Sequence, residues 1–355
     1  MIIIFTVRIT LFQLKTLPLQ ELAAARNGRI PYRKDTKTLQ NGKGVGDKSF
    51  KKQTRKMQQQ RFRFALFGNS YQPRGGAVAY EFIDHVKRRG GEVCIEKDFY
   101  GYLSNLGRIA LGEFDTFEVD QPDADFVVSI GGDGTLLKAA NHVGERGLPI
   151  IGINTGRLGF LADTTDAETE VTVNAIFDGK FNLEEHAVIE VCTENGIVAG
   201  SPFALNDIAV LKRDNASMIS ITAAINGEYL TTYQADGLII STPTGSTAYS
   251  LSNGGPIMAP MSGVLSLTAV APHSLNVRPI VIPDNAEISL SVESRSHSFL
   301  IAIDGRSEKC TENTTITIRR ARHNIKIMRL AGRNYYSTLR EKMMWGRDNR
   351  VGNKS

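Results

Sequence analysis

The chain has 355 residues, 41% hydrophobic and 22% charged, an ordinary globular composition with length for about two domains. Three widely spaced cysteines (Cys94, Cys192, Cys310) and six histidines without HxH or HxxxH spacing exclude a cysteine-ligated zinc site, give no support to a histidine metal cluster or a disulfide framework, and fit a reducing cytosolic compartment. The net charge of +5 is uneven: residues 1–56 hold 13 Lys and Arg against 3 Asp and Glu, so residues 57–355 are net −5, which excludes a basic nucleic-acid-binding body.

The first twenty residues are apolar, but Arg8 and Lys15 interrupt them. No run reaches the roughly 18–20 residues of a membrane helix, and charges inside the apolar part argue against a secretory signal. Residues 26–60 are polar and basic, a composition that does not bury a core. We expect residues 1–56 to be a disordered basic extension, either an upstream stretch preceding a natural start at Met57 or a true flexible tail.

Ordered sequence begins near residue 61. Arg61–Phe67 reads as a strand ending at Gly68-Asn69, and 76–88 places Val78, Phe82 and Val86 on one helical face. Gly90-Gly91 stops that helix and Val93–Glu96 is a short strand. Asp125–Ile130 is an apolar strand running into Gly131-Gly132-Asp133-Gly134-Thr135; a helix over Leu136–Glu145 and an apolar strand over Pro149–Asn154 follow. Strands alternating with helices predict a parallel sheet, with ligands at the carboxyl ends of its strands. Gly131–Thr135 and Asn154–Gly159 should therefore line one crevice. After residue 185 the pattern changes to short β-rich runs: 187–193, 207–211, 217–225, 237–241, 279–283, 287–293, 298–303 and 314–318, with turn pairs such as Asn195-Gly196, Asn226-Gly227 and Asp304-Gly305. The expected fold is an α/β N-terminal domain with a Rossmann-like parallel sheet plus a mostly antiparallel β C-terminal domain. We divide the chain at 57–160, 161–330 and a C-terminal helix and tail over 331–355. In that tail 334–345 is amphipathic, with Trp345 expected as a packing anchor.

Three segments carry chemistry. In Gly131–Thr135 the glycines let backbone N–H groups approach phosphate oxygens, and the helix that follows offers its positive end. A carboxylate inside such a loop repels phosphate unless it takes a proton from an attacking hydroxyl or helps hold magnesium between phosphates; the alternative is a tight turn with Asp133 as helix N-cap. In DGLIISTPTGSTAYSLS (236–252) a strand enters a loop of hydroxyls at Thr242, Thr244, Ser246 and Thr247 with Gly245 at a bend, suited to ribose and phosphates, or a solvated turn before a capped helix. Asn206-Asp207 could bind a vicinal diol or form an Asx-turn. The Asp304-Gly305-Arg306 turn is a weaker signal.

Taken together, GGDGT (131–135), GINTGRLGFL (152–161), LND (205–207), ADGLIISTPTGSTAYSLSNGGPI (235–257), PHSLNVRPIVIP (272–283) and YYSTLREKMMWG (335–346) resemble the bacterial NAD kinase family in order and spacing, over roughly residues 61–346. The resemblance implies transfer of the γ-phosphoryl group of ATP, or polyphosphate in some members, to the 2′-hydroxyl of the adenosine ribose of NAD. It implies Asp133 as general base, with Gly134 lining the same site and Lys138 one turn on at a substrate-contacting position. Asn206 and Asp207 match an Asn-acidic pair on the NAD ribose, where many relatives carry Glu in place of Asp207. Asp236 matches a contact to the nicotinamide-ribose half. Thr247, Ala248, Tyr249 and Ser252 match the adenine-side wall, and Ser250 and Leu251 are counted with them. Arg306 stands near where many relatives carry Gln. The resemblance further implies magnesium or another divalent cation bound mainly through ATP phosphates, no nucleic acid or membrane partner, a cytoplasmic enzyme and a homodimer or homotetramer. GGDG is shared with diacylglycerol kinases, so a lipid kinase of that type and a non-catalytic NAD-sensing protein are the alternatives. A Rossmann dehydrogenase is disfavoured because Gly68-Asn69-Ser70-Tyr71 stands where GxGxxG belongs.

Overall fold

A computed structural model of the chain describes residues 61–70, 73–107, 109–118, 123–156, 159–194, 196, 198, 200–213, 217–312 and 314–346. The expectations for residues 1–56, and the Asn195-Gly196 turn as a pair, fall outside them.

The apolar segments RFALFG, EVCIE, FVVSIG and IIGIN form β1 (Arg63–Gly68), β2 (Glu92–Glu96), β4 (Phe126–Gly131) and β5 (Ile150–Asn154). They pair in parallel in the order β3–β2–β1–β4–β5, with a short β3 (Asp115–Phe117) at the edge. These strands read as nearly continuous hydrophobic runs because both sheet faces are covered. On one face Phe64 and Leu66 meet Val78, Phe82 and Val86 of the Pro73–Arg88 helix, Phe99 and Leu103 of the Lys97–Asn105 helix, and Val173 and Ile176 of the Thr169–Phe177 helix. On the other face Ala65 and Phe67 meet Leu136, Ala139, Ala140 and Val143 of the Asp133–Val143 helix. The alternation follows from the two-residue period of a strand. Phe64 and Phe82 are wholly buried, each contributing roughly 1.5–3 kcal/mol of transfer free energy.

The remaining strands are β6 (Thr164–Thr165), β7 (Phe181–Thr193), β8 (Phe203–Ala204), β9 (Asp207–Lys212), β10 (Ile219–Ile225), β11 (Glu228–Ala235), β12 (Gly237–Ser241), β13 (Val264–Val270), β14 (Ile280–Pro283), β15 (Ile288–Glu293), β16 (Ser298–Ile303), β17 (Arg306–Thr311) and β18 (Ile316–Leu330). One sheet, β14–β13–β12–β9–β16–β17, is antiparallel throughout. Its inward residues Ile208, Val210, Leu238 and Ile240 pack on Ile219, Ile221, Leu290 and Val292 from β10 and β15 of the other sheet, closing a sandwich core. That other sheet is continuous with the parallel one. The long β18 lies parallel to β5 at Ile327–Ile150 and antiparallel to β7 from Leu330–Phe181 to Ile316–Thr193, with a register shift between Arg320 and Asn324. The chain thus returns at its end to complete the sheet it began.

The Asn226-Gly227 and Asp304-Gly305 turns have positive φ at both residues (52° and 82°; 46° and 81°), the I′-type geometry that suits the twist of a hairpin. The expected C-terminal helix is present as Tyr335–Met343, with the Asn334 side chain accepting the Ser337 N–H. Trp345 does not anchor it: its side chain is 55% exposed, because the helix ends at Met343 and the next residue, Met344, turns the chain at positive φ.

Candidate active site

Gly131 on β4 and Asn154 on β5 are register partners, so the loops after both strands open side by side at the carboxyl edge of the sheet, the ligand-binding edge of such folds. In the first loop Gly132 is the helix N-cap, without a side-chain cap bond, and Asp133 is the first helical residue. Asp133 does not cap its own helix. Its carboxylate reaches the second loop, where Oδ2 accepts the Phe160 N–H at 2.9 Å and Oδ1 accepts those of Leu161 and Ala162 at 3.1 and 2.9 Å. Gly159 makes this approach possible: a Cβ there would lie 2.0 Å from Asp133 Oδ1. Asn154 folds the same loop back, donating to the Ala162 carbonyl at 3.1 Å and accepting the Gly156 N–H at 2.8 Å. The three loop glycines differ in role. A Cβ on Gly131 would strike Thr135 Oγ1, whereas one on Gly132 or Gly134 would meet nothing within 4 Å. The first is small for packing, and the other two leave backbone open to an approaching group.

Lys138, one turn along the helix, faces Glu96 Oε1 at 3.6 Å, and Glu96 in turn caps the next helix by accepting the Phe99 N–H. Gly68 is tight against the Phe99 ring, a packing glycine and not the start of a dinucleotide loop.

A second cluster forms around 205–207. Asp304, in its hairpin turn, accepts the N–H groups of Leu205, Asn206 and Asp207 at 2.8, 2.8 and 3.1 Å. The Thr242 hydroxyl donates to the Leu205 carbonyl at 2.6 Å, and the Thr242 N–H to that of Asn206 at 2.9 Å. Gly245 lies directly on Asn206, where a Cβ would come within 2.1 Å of the Asn206 carbonyl oxygen. The two motifs that the sequence separates by about thirty residues are one packed unit. Among the described residues the buried Oδ1 of Asn206 has no hydrogen-bond partner, a polar atom free to meet a ligand donor. Asp207 is 7% exposed; burial, and then the neighbouring Asp304 carboxylate, push its carboxyl up to about 7. Leu205 and Phe203 pack against the Asp133–Val143 helix, which brings this cluster beside the first.

The hydroxyl-rich loop divides by burial. Ser250 is wholly buried with its hydroxyl 3.0 Å from that of Thr268, and Ser246 accepts the Met258 N–H; both side chains fix the loop from within. Thr247, Ala248 and Leu251 are half-buried, Ser252 is exposed, and the Tyr249 ring is 40% exposed, leaving a face for a base. Asp236 is not brought to this cluster. It precedes β12 while Thr242 follows it, on the order of 20 Å away along an extended strand, and it pairs with Lys212 at 2.7 Å. The reason is the direction of the strand, which separates the two ends of the 235–257 motif.

Several site residues carry no sequence signal. Arg329 on β18 donates to the carbonyls of Leu161 and Phe160 at 2.8 and 3.1 Å and pairs with Asp163 at 2.8 Å and Glu184 at 3.0 Å. Glu184 meets His186 Nε2 at 3.3 Å, and His186 Nδ1 meets the Thr244 hydroxyl at 2.8 Å. Burial works against the Glu184 charge, but the His186 bond and the Arg329 guanidinium outweigh it and hold its carboxyl down to about 2. Burial lowers the imidazole of His186. A neutral ring bonded to an acceptor-only carboxylate carries its proton on Nε2, so Nδ1 accepts from Thr244. Lys342, in the C-terminal helix, places Nζ 3.8 Å from Asp133 Oδ2.

A carboxylate steadied among open glycines, beside a hydroxyl-rich loop, has the chemistry that phosphoryl transfer uses. Comparison with known proteins gives the family. Residues 36–181 match the ATP-NAD kinase N-terminal domain and residues 205–330 the ATP-NAD kinase C-terminal domain. An NAD kinase of Bacteroides fragilis is 53% identical over 289 residues, 81% of this chain and 100% of that protein, and one of Cytophaga hutchinsonii is 39% identical over 81% and 99%. Yeast NADH kinase complexed with NADH shares the fold at a TM-score of 0.75 and 21% identity, covering 83% of this chain and 91% of that one. An NAD kinase from Archaeoglobus fulgidus in complex with ATP aligns at 0.61 and 25% identity over 78% and 98%. The chain belongs to the ATP-NAD kinase family, and neither the lipid-kinase nor the sensor alternative is supported.

Proposed function

We propose that this enzyme moves the γ-phosphoryl group of ATP onto the 2′-hydroxyl of the adenosine ribose of NAD, giving NADP, with Asp133 as the general base. The observation that carries the assignment is the hydrogen bonding of Asp133. A carboxylate has about four lone-pair sites. Oδ1 uses two on Leu161 and Ala162, and Oδ2 one on Phe160, so Oδ2 keeps a site for the ribose hydroxyl. As the hydroxyl oxygen bonds to the γ-phosphorus, its proton passes to Oδ2, and the bond from that phosphorus to the β,γ-bridging oxygen breaks, its electron pair leaving with ADP. The three N–H groups fix the base in position, which is most of what phosphoryl transfer asks of a protein. Asn206 Oδ1 and Asp207 suit ribose hydroxyls, and the Thr247–Ser252 wall with Tyr249 suits adenine.

Among the described residues no group of three or more His, Cys, Asp or Glu could hold a metal ion. Magnesium carried by the nucleotide phosphates takes few protein carboxylates, and the ion would offset phosphate charge there. No helix among the described residues is long and apolar enough to cross a membrane. With free thiols at all three cysteines and these two substrates, we assign the enzyme to the cytoplasm.

The full chain incubated with NAD, ATP and magnesium should yield NADP, detected with an NADP-specific dehydrogenase. Asp133→Asn should retain NAD binding and lose about 10²–10⁴-fold in turnover. Near-normal turnover in that variant refutes the base assignment.

A further inference from the structure

We propose that Lys342 is a catalytic residue whose ammonium group contacts the phosphoryl group in flight; the proposal rests on the NAD kinase reading above. Lys342 lies in the last turn of the Tyr335–Met343 helix. Its Nζ is 3.8 Å from Asp133 Oδ2 and 4.3 Å from the centroid of the Phe160 ring. At 3.8 Å it is not hydrogen-bonded to the carboxylate. The ring face holds the ammonium by cation–π attraction, without a hydrogen bond that commits its donors to the carboxylate.

The oxygen it approaches is Oδ2, the one that keeps a lone pair for the attacking hydroxyl. A hydroxyl seated there is flanked by the ammonium, and the phosphorus it attacks must come to the same place. The transferring group spreads negative charge over its non-bridging oxygens, and a fixed cation beside them lowers the barrier. Lys138, one turn along the Asp133–Val143 helix, instead faces Glu96 Oε1 at 3.6 Å, whereas Lys342 faces the Asp133 carboxylate itself. Lys342 donates hydrogen bonds to the γ-oxygens while the base, Asp133, takes the hydroxyl proton and ADP departs with the electron pair.

The helix is tied to the segment that holds the base. Tyr335 packs on Phe160 with ring centroids 6.4 Å apart, and Arg333 donates to the Asp163 carbonyl. Base and cation are thus both referenced to residues 160–163. Lys342 is a third exposed, so its replacement leaves the core intact.

The test uses the full chain with Lys342→Gln and Lys342→Arg, each also in the Asp133→Asn background, reading kcat for NADP, the dissociation constant for NAD and the melting temperature. Lys342→Gln should lower kcat about 100-fold while NAD affinity stays within about twofold, and Lys342→Arg should recover to within about tenfold of the parent. In Asp133→Asn, Lys342→Gln should lower the residual turnover by a comparable factor. A lysine that acts only as a counter-charge to Asp133 has nothing left to act on in that background, so the absence of a further loss overturns the proposal. So does a Lys342→Gln kcat within about threefold of the parent. If the parent itself makes no NADP, the NAD kinase reading fails and the proposal falls with it; a parent that turns over beside an equally active Lys342→Gln sinks the proposal alone.

Discussion

The His186 imidazole and the Thr244 hydroxyl meet at 2.8 Å, fifty-eight residues apart in sequence and both buried. Their contact ends a chain of polar side chains, Thr244–His186–Glu184–Arg329, that finishes on the carbonyls of Phe160 and Leu161. Those are the residues whose N–H groups hold Asp133. The hydroxyl-rich loop and the segment that holds the carboxylate are therefore connected through the protein interior, and Arg329 is the branch point. Arg329→Met removes the cation and leaves the buried Asp163 and the half-buried Glu184 without it. Breaking a buried ion cluster from one side costs about 3–5 kcal/mol. Urea unfolding should show a loss of that size; a loss under about 1 kcal/mol would mean that water or a rearranged side chain replaces the guanidinium.

Two glycines that resist even a methyl group give contrasting outcomes. At Gly159 the added carbon strikes Asp133 Oδ1 hardest, at 2.0 Å, the end of a side chain that can swing aside, and meets backbone only at the Ala162 carbonyl oxygen, 2.9 Å away. Gly159→Ala should stay folded but displace the carboxylate, lowering kcat on the order of 10²-fold, the scale of an ångström-sized misplacement. At Gly245 the obstacle is the Asn206 backbone, which has no rotamer to change. Gly245→Ala should separate the two loops, lowering the melting temperature and raising KM for NAD. Steady-state kinetics with thermal unfolding tells the two apart; equal melting points for both variants would contradict the distinction.

The buried Asp207 predicts a pH dependence of stability. Its carboxyl is raised from 3.8 to about 7 in the folded chain, by burial first and then by Asp304. Between those values the folded state binds a proton that the unfolded state has lost, so its stability falls as the pH rises from about 4 to about 7 and then levels off. The full span corresponds to about 4 kcal/mol. Asp207→Asn removes this titration, so the stability difference between variant and parent should move in favour of the variant across that window. Unfolding free energies at pH 5, 6, 7 and 8 measure it, and a difference that does not change with pH would sink it.

Much of the architecture is legible in one dimension because it depends on local pattern. Alternation of apolar strands with helices announces the parallel sheet, and the Asn226-Gly227 and Asp304-Gly305 turns announce hairpins, since few residues accept positive φ twice in succession. The Gly131–Thr135 loop is legible for the same kind of reason: glycines flanking a carboxylate are a local chemical statement. Asp304 shows the limit. Its turn is a weak signal, and its role in holding Leu205, Asn206 and Asp207 appears only when a strand a hundred residues away folds beside it. Asp236 shows the reverse, a residue adjacent to the hydroxyl-rich loop in motif and remote from it in space, because the strand between them is extended.

The sequence by itself determined the fold class and the family, and pointed to Asp133 as the carboxylate among the loop glycines, because glycine content, hydrophobic period and motif spacing act over a few neighbouring residues. Only the tertiary structure decided what holds that carboxylate. The N–H groups of 160–162, the Gly159 approach, the Arg329 branch point and the Lys342 ammonium reach Asp133 through contacts between residues far apart in the chain. β18 places Arg329 by crossing back to β5, and the helix after it places Lys342. Such contacts are fixed by strand register and helix packing, which depend on the whole buried core and leave no local mark in the sequence.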